Sequence, residues 1–563
     1  MIQPETFRSQ PPAPLQPHPI TIPASREVVL SNGLTLVVVE DRRLPLVSYR
    51  LAFRVGGAFD PPGLPGLTDL LAGLLPEGTA SKTSREIADE VARMGASLSA
   101  GANSDYTIVA ASALSQFNDR ILELMADVVL HPSFPENEVE LAKRNTKESL
   151  RQQRAQPSFL ASEMVSRVMF GDHPYSVVAP TPESIDRSSR DEFVNFHRSK
   201  YVPNNAVFII VGDVHYEDIV RRVESLLSTW ERGEELVTNF PAPPVRTKKT
   251  AYLIDRHGSA QSNIVIANSG ITRTSPDYFP MLLMHTVLGA NASSRLFMNL
   301  REEKGYTYGA YTNLDARRTA GTFRATAEVR TPVTGDSLKE FFYELNRIRN
   351  DRVSEKEIAD AKSYLTGVFP IRLETQEGLT DQLVQIKMLR LQDDYLQVYR
   401  DRVQAVTLEE IQRVAQKYVK PDEAALIVVG DGSAVLDQIR PYCEDIEIYN
   451  TSGKLKPVDG SVATDPVGSW LIELETPLGQ NIPATLTISR DGENFSGRFS
   501  SELGEADLGA IQIHDNSFRA STSVEMDGHS VPVEISGNFE GDHAEGMLTL
   551  QDSPAIPFAG SKE

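Results

Sequence analysis

One cysteine, Cys443, among 563 residues excludes an intramolecular disulfide framework and any multi-cysteine metal site. With no C-x-x-C neighbour, its thiol reads as a buried or incidental side chain rather than a nucleophile. Positive charge is also scarce. The 56 Lys and Arg against 77 Asp and Glu leave a formal net charge of -21, which argues against nucleic acid or an anionic membrane surface as a partner. No stretch approaches the roughly 18 consecutive apolar residues that a spanning helix needs. The opening MIQPETFRSQPPAPLQPHPITIPAS is proline-rich and has no apolar core of a signal sequence. The expected location is therefore the cytoplasm, or the periplasm if the true start lies upstream. The ten histidines are scattered, with no two four apart, so no helix presents a histidine pair. Neither a G-x-S-x-G elbow, a phosphate-binding G-x-x-x-x-G-K-[ST] nor a cysteine–histidine motif occurs, which leaves other hydrolase classes without support.

What remains is a folded composition, 40% hydrophobic and 24% charged, in a chain too long for one core. Val28–Val39 reads as two strands around Asn32-Gly33, a dipeptide that supplies the positive φ of a tight hairpin. Another strand runs from Ser48 to Val55. The apolar spacing then turns helical over Leu67–Leu75 and Ser84–Met94. Two distant stretches share one order of features. DEFVNFHRSKYV (191–202) precedes the apolar run Ala206–Val211 and Gly212-Asp213, and LEEIQRVAQKYV (408–419) precedes Ala424–Val429 and Gly430-Asp431. A helix, Tyr-Val, a Pro/Asn/Asp turn and a buried strand ending in Gly-Asp thus recur, which predicts a duplicated lobe. Between the copies, Pro241, Pro243 and Pro244 suit a stiff linker. Past Tyr449 the pattern changes to alternating strands, among them Ala484–Ser489, Phe495–Phe499, Ala510–His514 and Val531–Ile535, separated by Gly, Asn and Asp turns.

Two segments carry a family resemblance. GGAFDPPGLPGLTDLLAGLLPEGTASKTSREIADEVARMGASLSAGANSDYT (56–107) resembles the amino-terminal lobe of insulinase/pitrilysin metallopeptidases, relatives of mitochondrial processing peptidase. In that family the first helix carries His-x-x-Glu-His, two zinc-binding histidines on one helical face with a glutamate that activates the bound water. The matching positions here are Asp69, Ala72 and Gly73, so both histidines and the base are missing. The family's third ligand, a glutamate on a later helix, falls by count at Ser149, beside Glu148. His173, in a Gly-Asp-His-Pro-Tyr turn, and His131, before Pro132, read as structural rather than as ligands.

LGANASSRLFMNLREEKGYTYGAYT (288–312) resembles the family's second-lobe signature. Its residues predict an N-cap at Ser293 or Ser294, a helix over Arg295–Glu303 ended by Gly305, and a strand from Tyr306 to Tyr311. Alternation puts Tyr306 and Tyr308 on one face and Thr307 on the other. The resemblance implies that Arg301 and Tyr308 are the pair that binds substrate backbone opposite the zinc site and stabilises the carbonyl oxygen as it gains charge.

The resemblance spans roughly residues 26–450. It implies an α+β fold, with two homologous processing-peptidase-like α/β lobes, each an antiparallel sheet with helices on one side, and a C-terminal all-β barrel or sandwich. The expected organisation is a disordered arm (1–25), a first lobe with the degenerate motif (26–235) and a linker (236–249). A second lobe with the Arg/Tyr pair (250–450), a second linker (451–466) and a β-domain (467–563) follow. The β-domain resembles small lipocalin-like modules appended to bacterial hydrolases and reads as a packing or docking unit. For function, the resemblance implies the zinc-less subunit of a bacterial heterodimeric metallopeptidase, inactive alone and acting on unfolded peptides. Zinc would sit in a homologous partner that carries His-x-x-Glu-His. The alternative is a non-enzymatic assembly or peptide-binding protein on the same fold.

Overall fold

The computed structural model describes residues 21–456 and, beyond them, 465–475, 481–492, 494–501, 504–514, 516–526, 529–540, 543–550 and 555–562. Most of the proline-rich arm and part of the second predicted linker lie outside these residues. The predicted hairpin forms as β1 (Ser25–Val29) and β2 (Thr35–Glu40), turned at Gly33 with φ +89° while the Asn32 side chain accepts the Leu34 amide at 3.1 Å. The arm therefore ends at Ser25, already in a strand. With β3 (Leu46–Phe53), β4 (Ser97–Ala102), β5 (Thr107–Leu114) and β6 (Ala206–Gly212), these make a six-stranded sheet ordered β1-β2-β6-β3-β5-β4.

The second lobe repeats this plan. Its sheet contains β7 (Thr250–Asp255), β8 (Gln261–Ser269), β9 (Thr307–Ala316), β10 (Gly321–Arg330), β11 (Ala425–Gly430), β12 (Ile446–Tyr449) and β13 (Leu455–Lys456), in the order β13-β12-β7-β11-β8-β10-β9. Strands β2, β6, β3, β5 and β4 correspond one to one, in order and direction, with β7, β11, β8, β10 and β9. The expectation of antiparallel sheets is corrected, since both are mixed. In each lobe the last of these five strands, β6 or β11, returns from a helix and inserts beside the first of the five, β2 or β7, running parallel to it as a crossover connection allows. The helices that feed these strands are the two that the sequence repeat identified, Arg190–Lys200 and Leu408–Tyr418. β13 also extends the second sheet past residue 450.

Helices on one side of each sheet are only half of its cover. Helix Gln376–Met388, from the second lobe, packs on β3 and β6 of the first sheet, while helix Pro157–Phe170, from the first lobe, packs on β8 and β11 of the second. That exchange explains why all seven residues of β6 are buried and why its sequence is continuously apolar instead of alternating. A charged clasp marks the first of these contacts. The Arg50 side chain, 7% exposed, donates to Asp381 at 2.9 Å and to Glu377 at 2.8 Å on the incoming helix.

Two histidines inside the lobes are held neutral. The His197 ring lies 2.8 Å from the Val129 carbonyl and the His285 ring 2.7 Å from the Thr312 hydroxyl. Burial is the main cause of a pKa lowered to about 4 in both. In the unfolded chain each takes up its proton near pH 6.5. The unfolded state therefore binds more protons between pH 6.5 and 4, and stability is lost as pH falls through that window. Each histidine is expected to cost up to about 1.4 kcal/mol per pH unit there. Urea midpoints at several pH values check this, and His285→Gln should flatten the slope.

The C-terminal unit, Pro457–Glu563, is compact by itself. Eight strands close an antiparallel barrel, β14 (Gly468–Glu475), β15 (Asn481–Asp491), β16 (Asn494–Ser501), β17 (Gly504–His514), β18 (Ser517–Met526), β19 (His529–Glu540), β20 (His543–Leu550) and β21 (Ile556–Lys562), with β21 pairing back to β14. Of the two expected forms, barrel or sandwich, it is the barrel. Trp470, Phe518, Phe539 and Phe558 pack in its core, as the alternating pattern requires of a small closed sheet. No helix among the described residues is long and apolar enough to cross a membrane.

Candidate functional site

The first-lobe helix Leu67–Leu74 starts after Gly66, whose φ of +89° and close approach to Pro180 leave no room for a side chain. Asp60 caps it, accepting the Gly66 and Thr68 amides at 2.7 and 2.9 Å. Asp69 and Gly73, one turn apart, share its exposed face, whereas Ala72 is completely buried. Although Asp69 reaches solvent, the protein around its carboxylate strips part of its hydration and raises its pKa. Nothing lies within 4 Å of where a Gly73 Cβ would stand. Ser149 is exposed on helix Glu136–Arg154, its hydroxyl accepting from the Gln153 side-chain Nε2 at 3.1 Å, while Glu148 faces Arg151 at 3.6 Å. Neither Ala72 nor Gly73 has a side-chain donor atom, and one carboxylate with one hydroxyl does not make a zinc set. Among the described residues no cluster of three or more His, Cys, Asp or Glu could hold a metal ion. The residues do not fit zinc here.

In the second lobe, Ser294 occupies the N-cap position, but no side chain caps the helix. Its hydroxyl donates instead to the Asn291 carbonyl at 2.6 Å, and the Ser293 hydroxyl donates to the Asn291 side chain. The predicted helix over Arg295–Glu303 is a single α-turn, Arg295–Phe297, that widens into a π-helix, Met298–Glu303. The Lys304 amide bonds back five residues to the Asn299 carbonyl at 3.0 Å. Gly305, at φ +65°, ends the segment, and the Tyr306 amide closes on the Leu300 carbonyl.

The strand that follows, β9, also departs from simple alternation. Val329 of β10 faces Thr307 and Ala327 faces Ala310, so Tyr308 and Gly309 together oppose Glu328 alone. This β-bulge re-aims the side chains beyond it. Tyr308 is exposed as expected, but Tyr311, which strict alternation would put with Thr307, joins Tyr308 on the open face. Gly309 permits the bend, because a Cβ there would stand 2.5 Å from the Tyr311 ring.

The π-turn and the bulge bring Arg301 and Tyr308 together. The Arg301 guanidinium carbon lies 5.4 Å from the centre of the Tyr308 ring, cation–π range, and its nearest carboxylate, Glu302, is 4.0 Å away. The Tyr308 side chain is 84% exposed. The result is a guanidinium with several N–H donors and a phenol with a single O–H donor, side by side at the surface. No hydrogen bond, ion pair or ring contact among the described residues joins either of them to helix Leu67–Leu74 or to Ser149.

The remaining residues singled out from sequence have structural roles. His173 is buried against Tyr175 and Phe170, and it accepts the Tyr175 amide at 3.1 Å. His131 caps helix Asn118–Leu130 at its end. Cys443 is buried and donates to the Asp445 carbonyl at 3.2 Å. Sequence reasoning missed the π-turn and Asn299, which leave no local signal. It also missed the bulge, for which Gly309 inside a strand pattern was the available sign.

Comparison with known proteins gives the same outline. Residues 36–181 match the family described as insulinase (peptidase family M16), and residues 187–365 match the peptidase M16 inactive domain. A Bacillus subtilis protein named uncharacterized zinc protease YmxG is 22% identical over 406 residues, covering 71% of this chain and 97% of that protein. The uncharacterized zinc protease SCO5738 of Streptomyces coelicolor is 23% identical over 396 residues, covering 69% of this chain and 86% of its own. Among solved structures, a peptidase M16 inactive domain from Pseudomonas fluorescens superposes with TM-score 0.68 at 26% identity, over 72% of this chain and 98% of that one. A protease from Helicobacter pylori superposes with TM-score 0.68 at 18% identity, over 72% of this chain and all of its own, a likeness of fold alone.

Proposed function

The chain belongs to the insulinase (M16) family, and from that premise we propose that it is the zinc-less subunit of a heterodimeric metallopeptidase, completing a partner's active site with Arg301 and Tyr308. The observation that carries this reading is the asymmetry between the two lobes. Positions 69, 72, 73 and 149 offer no ligand set, while Arg301 and Tyr308 stand together and exposed. In this reading the partner is a homologous subunit with His-x-x-Glu-His, which would hold the zinc and supply the attacking water. This chain's part is to bind and orient an unfolded peptide. The Arg301 guanidinium and the Tyr308 hydroxyl donate to the scissile carbonyl oxygen as negative charge builds on it, and such donors act most strongly where water is excluded. The contact of the guanidinium with the ring face restricts it without consuming its N–H donors.

The purified chain alone is expected to leave an unstructured fluorogenic peptide intact. Mixed with a His-x-x-Glu-His subunit from the same genome, it should co-elute on size exclusion and give cleavage that a chelator abolishes. Zinc-dependent cleavage by the chain alone would sink the proposal. A stable complex with no cleavage of any unfolded peptide would favour the non-enzymatic assembly reading.

A further inference from the structure

The Arg301 backbone belongs to a π-helix, a conformation that is rare and needs a reason to persist. The reason is found at Asn299, two residues earlier and on the inward side of the turn, with only 7% of its surface exposed. Its side-chain NH2 group donates to Glu340 at 3.0 Å and to Glu344 at 3.1 Å, both on helix Thr334–Asn350. Two carboxylates one helical turn apart repel each other, and a shared donor between them offsets that repulsion. The same contacts fix the amide's orientation, since only its nitrogen can serve two acceptors. Its oxygen is then buried without a partner, on the wall of a cavity of about 250 Å³ that Arg295, Glu303 and Arg347 also line. At the start of the segment Arg295, also buried, grips Glu357 through two hydrogen bonds of 2.6 and 3.1 Å.

We propose that Asn299 is a positioning residue for Arg301. By tying the π-turn to Glu340 and Glu344 it sets the rotation at which the Arg301 guanidinium meets the Tyr308 ring. A π-turn rotates less per residue than an α-turn. Without the tie, a relaxed α-turn would swing Arg301 about the helix axis and away from Tyr308. This inference rests on the subunit role proposed above.

The test uses the full chain, assembled with its His-x-x-Glu-His partner, in two variants. Asn299→Leu keeps the branching of the side chain, at a larger volume, and removes the donor. It is expected to lower kcat by about tenfold to a hundredfold, as small misplacements near a reacting centre do, with KM changed less than about twofold. Asn299→Asp is isosteric and keeps the test available if the leucine variant does not fold. It puts a third carboxylate against Glu340 and Glu344, among Lys304 (3.8 Å from Glu340), Arg347 (3.4 Å from Glu344), the Arg295–Glu357 pair, Glu303 and Asp360. Two glutamates in contact outweigh the more distant cations, so the introduced carboxyl binds a proton readily and, once protonated, donates to one of them. The ratio of this variant's kcat to that of the wild-type assembly should therefore rise severalfold as pH falls from 8 to 6, which simple loss of packing would not produce. A ratio near one that stays flat with pH would overturn the proposal. If the wild-type assembly is inactive, the subunit role fails, but a crystal structure of Asn299→Leu still decides this point. Arg301 moved off the Tyr308 ring supports the inference, and Arg301 left in place refutes it.

Discussion

Replacing Arg301 by Ala in the assembled enzyme is expected to reduce turnover by about a hundredfold to a thousandfold, the scale of losing one donor to a developing oxyanion. The complex itself should survive. The Arg301 side chain is 41% exposed and its nearest carboxylate is 4.0 Å away, so its removal is expected to change stability by no more than about 0.5 kcal/mol. Tyr308→Phe is the sharper companion, because it deletes one hydroxyl and keeps the ring on which the guanidinium rests. If the two donors act as a unit on one oxygen, the double variant should be little worse than Arg301→Ala alone. Peptide turnover measured beside size exclusion separates catalysis from assembly. Arg301→Ala within twofold of wild type in an intact complex would remove the pair from the active site.

Rebuilding the missing motif should fail at one position in particular. Ala72→Glu places a carboxylate where the present side chain is completely buried, and it is expected to cost about 2–5 kcal/mol, the penalty for burying a charge without a partner. Gly73→His points into open space. It is expected to be neutral or to stabilise by up to about 0.5 kcal/mol, since glycine is a poor residue inside a helix. Thermal melts of the two variants compare these costs directly. An Ala72→Glu variant that melts with the wild type would show that the first lobe still has room for the base. The first lobe covers position 72 and leaves Asp69 and Gly73 open to solvent.

Much of the architecture could be read from residues. The Asn32-Gly33 hairpin, helix Ser84–Met94 and the two helix–turn–strand units before Gly212 and Gly430 follow from local spacing and turn chemistry, and they form as expected. The duplication was legible for the same reason, because each copy carries its own signals. The continuous apolar run of β6 showed only that the strand is buried on both faces. It could not show that the second cover is helix Gln376–Met388 from the other lobe, since Leu379, Leu383 and Ile386 join Val207 and Ile209 in one core only in the folded chain.

The candidate site divides the same way. The sequence by itself determined that Asp69, Ala72, Gly73 and Ser149 cannot supply a zinc set, because ligation depends on side-chain chemistry that no fold can add. It also named Arg301 and Tyr308. Only the tertiary structure decided that the two meet. Their meeting depends on a π-turn in place of an α-turn and on a bulge at Tyr308–Gly309. Bonding four residues back along the chain is the ordinary choice, and bonding five back is rare without a tertiary tie. The proposed tie is Asn299 reaching two glutamates some forty positions further along, and no reading of the local sequence contains that contact.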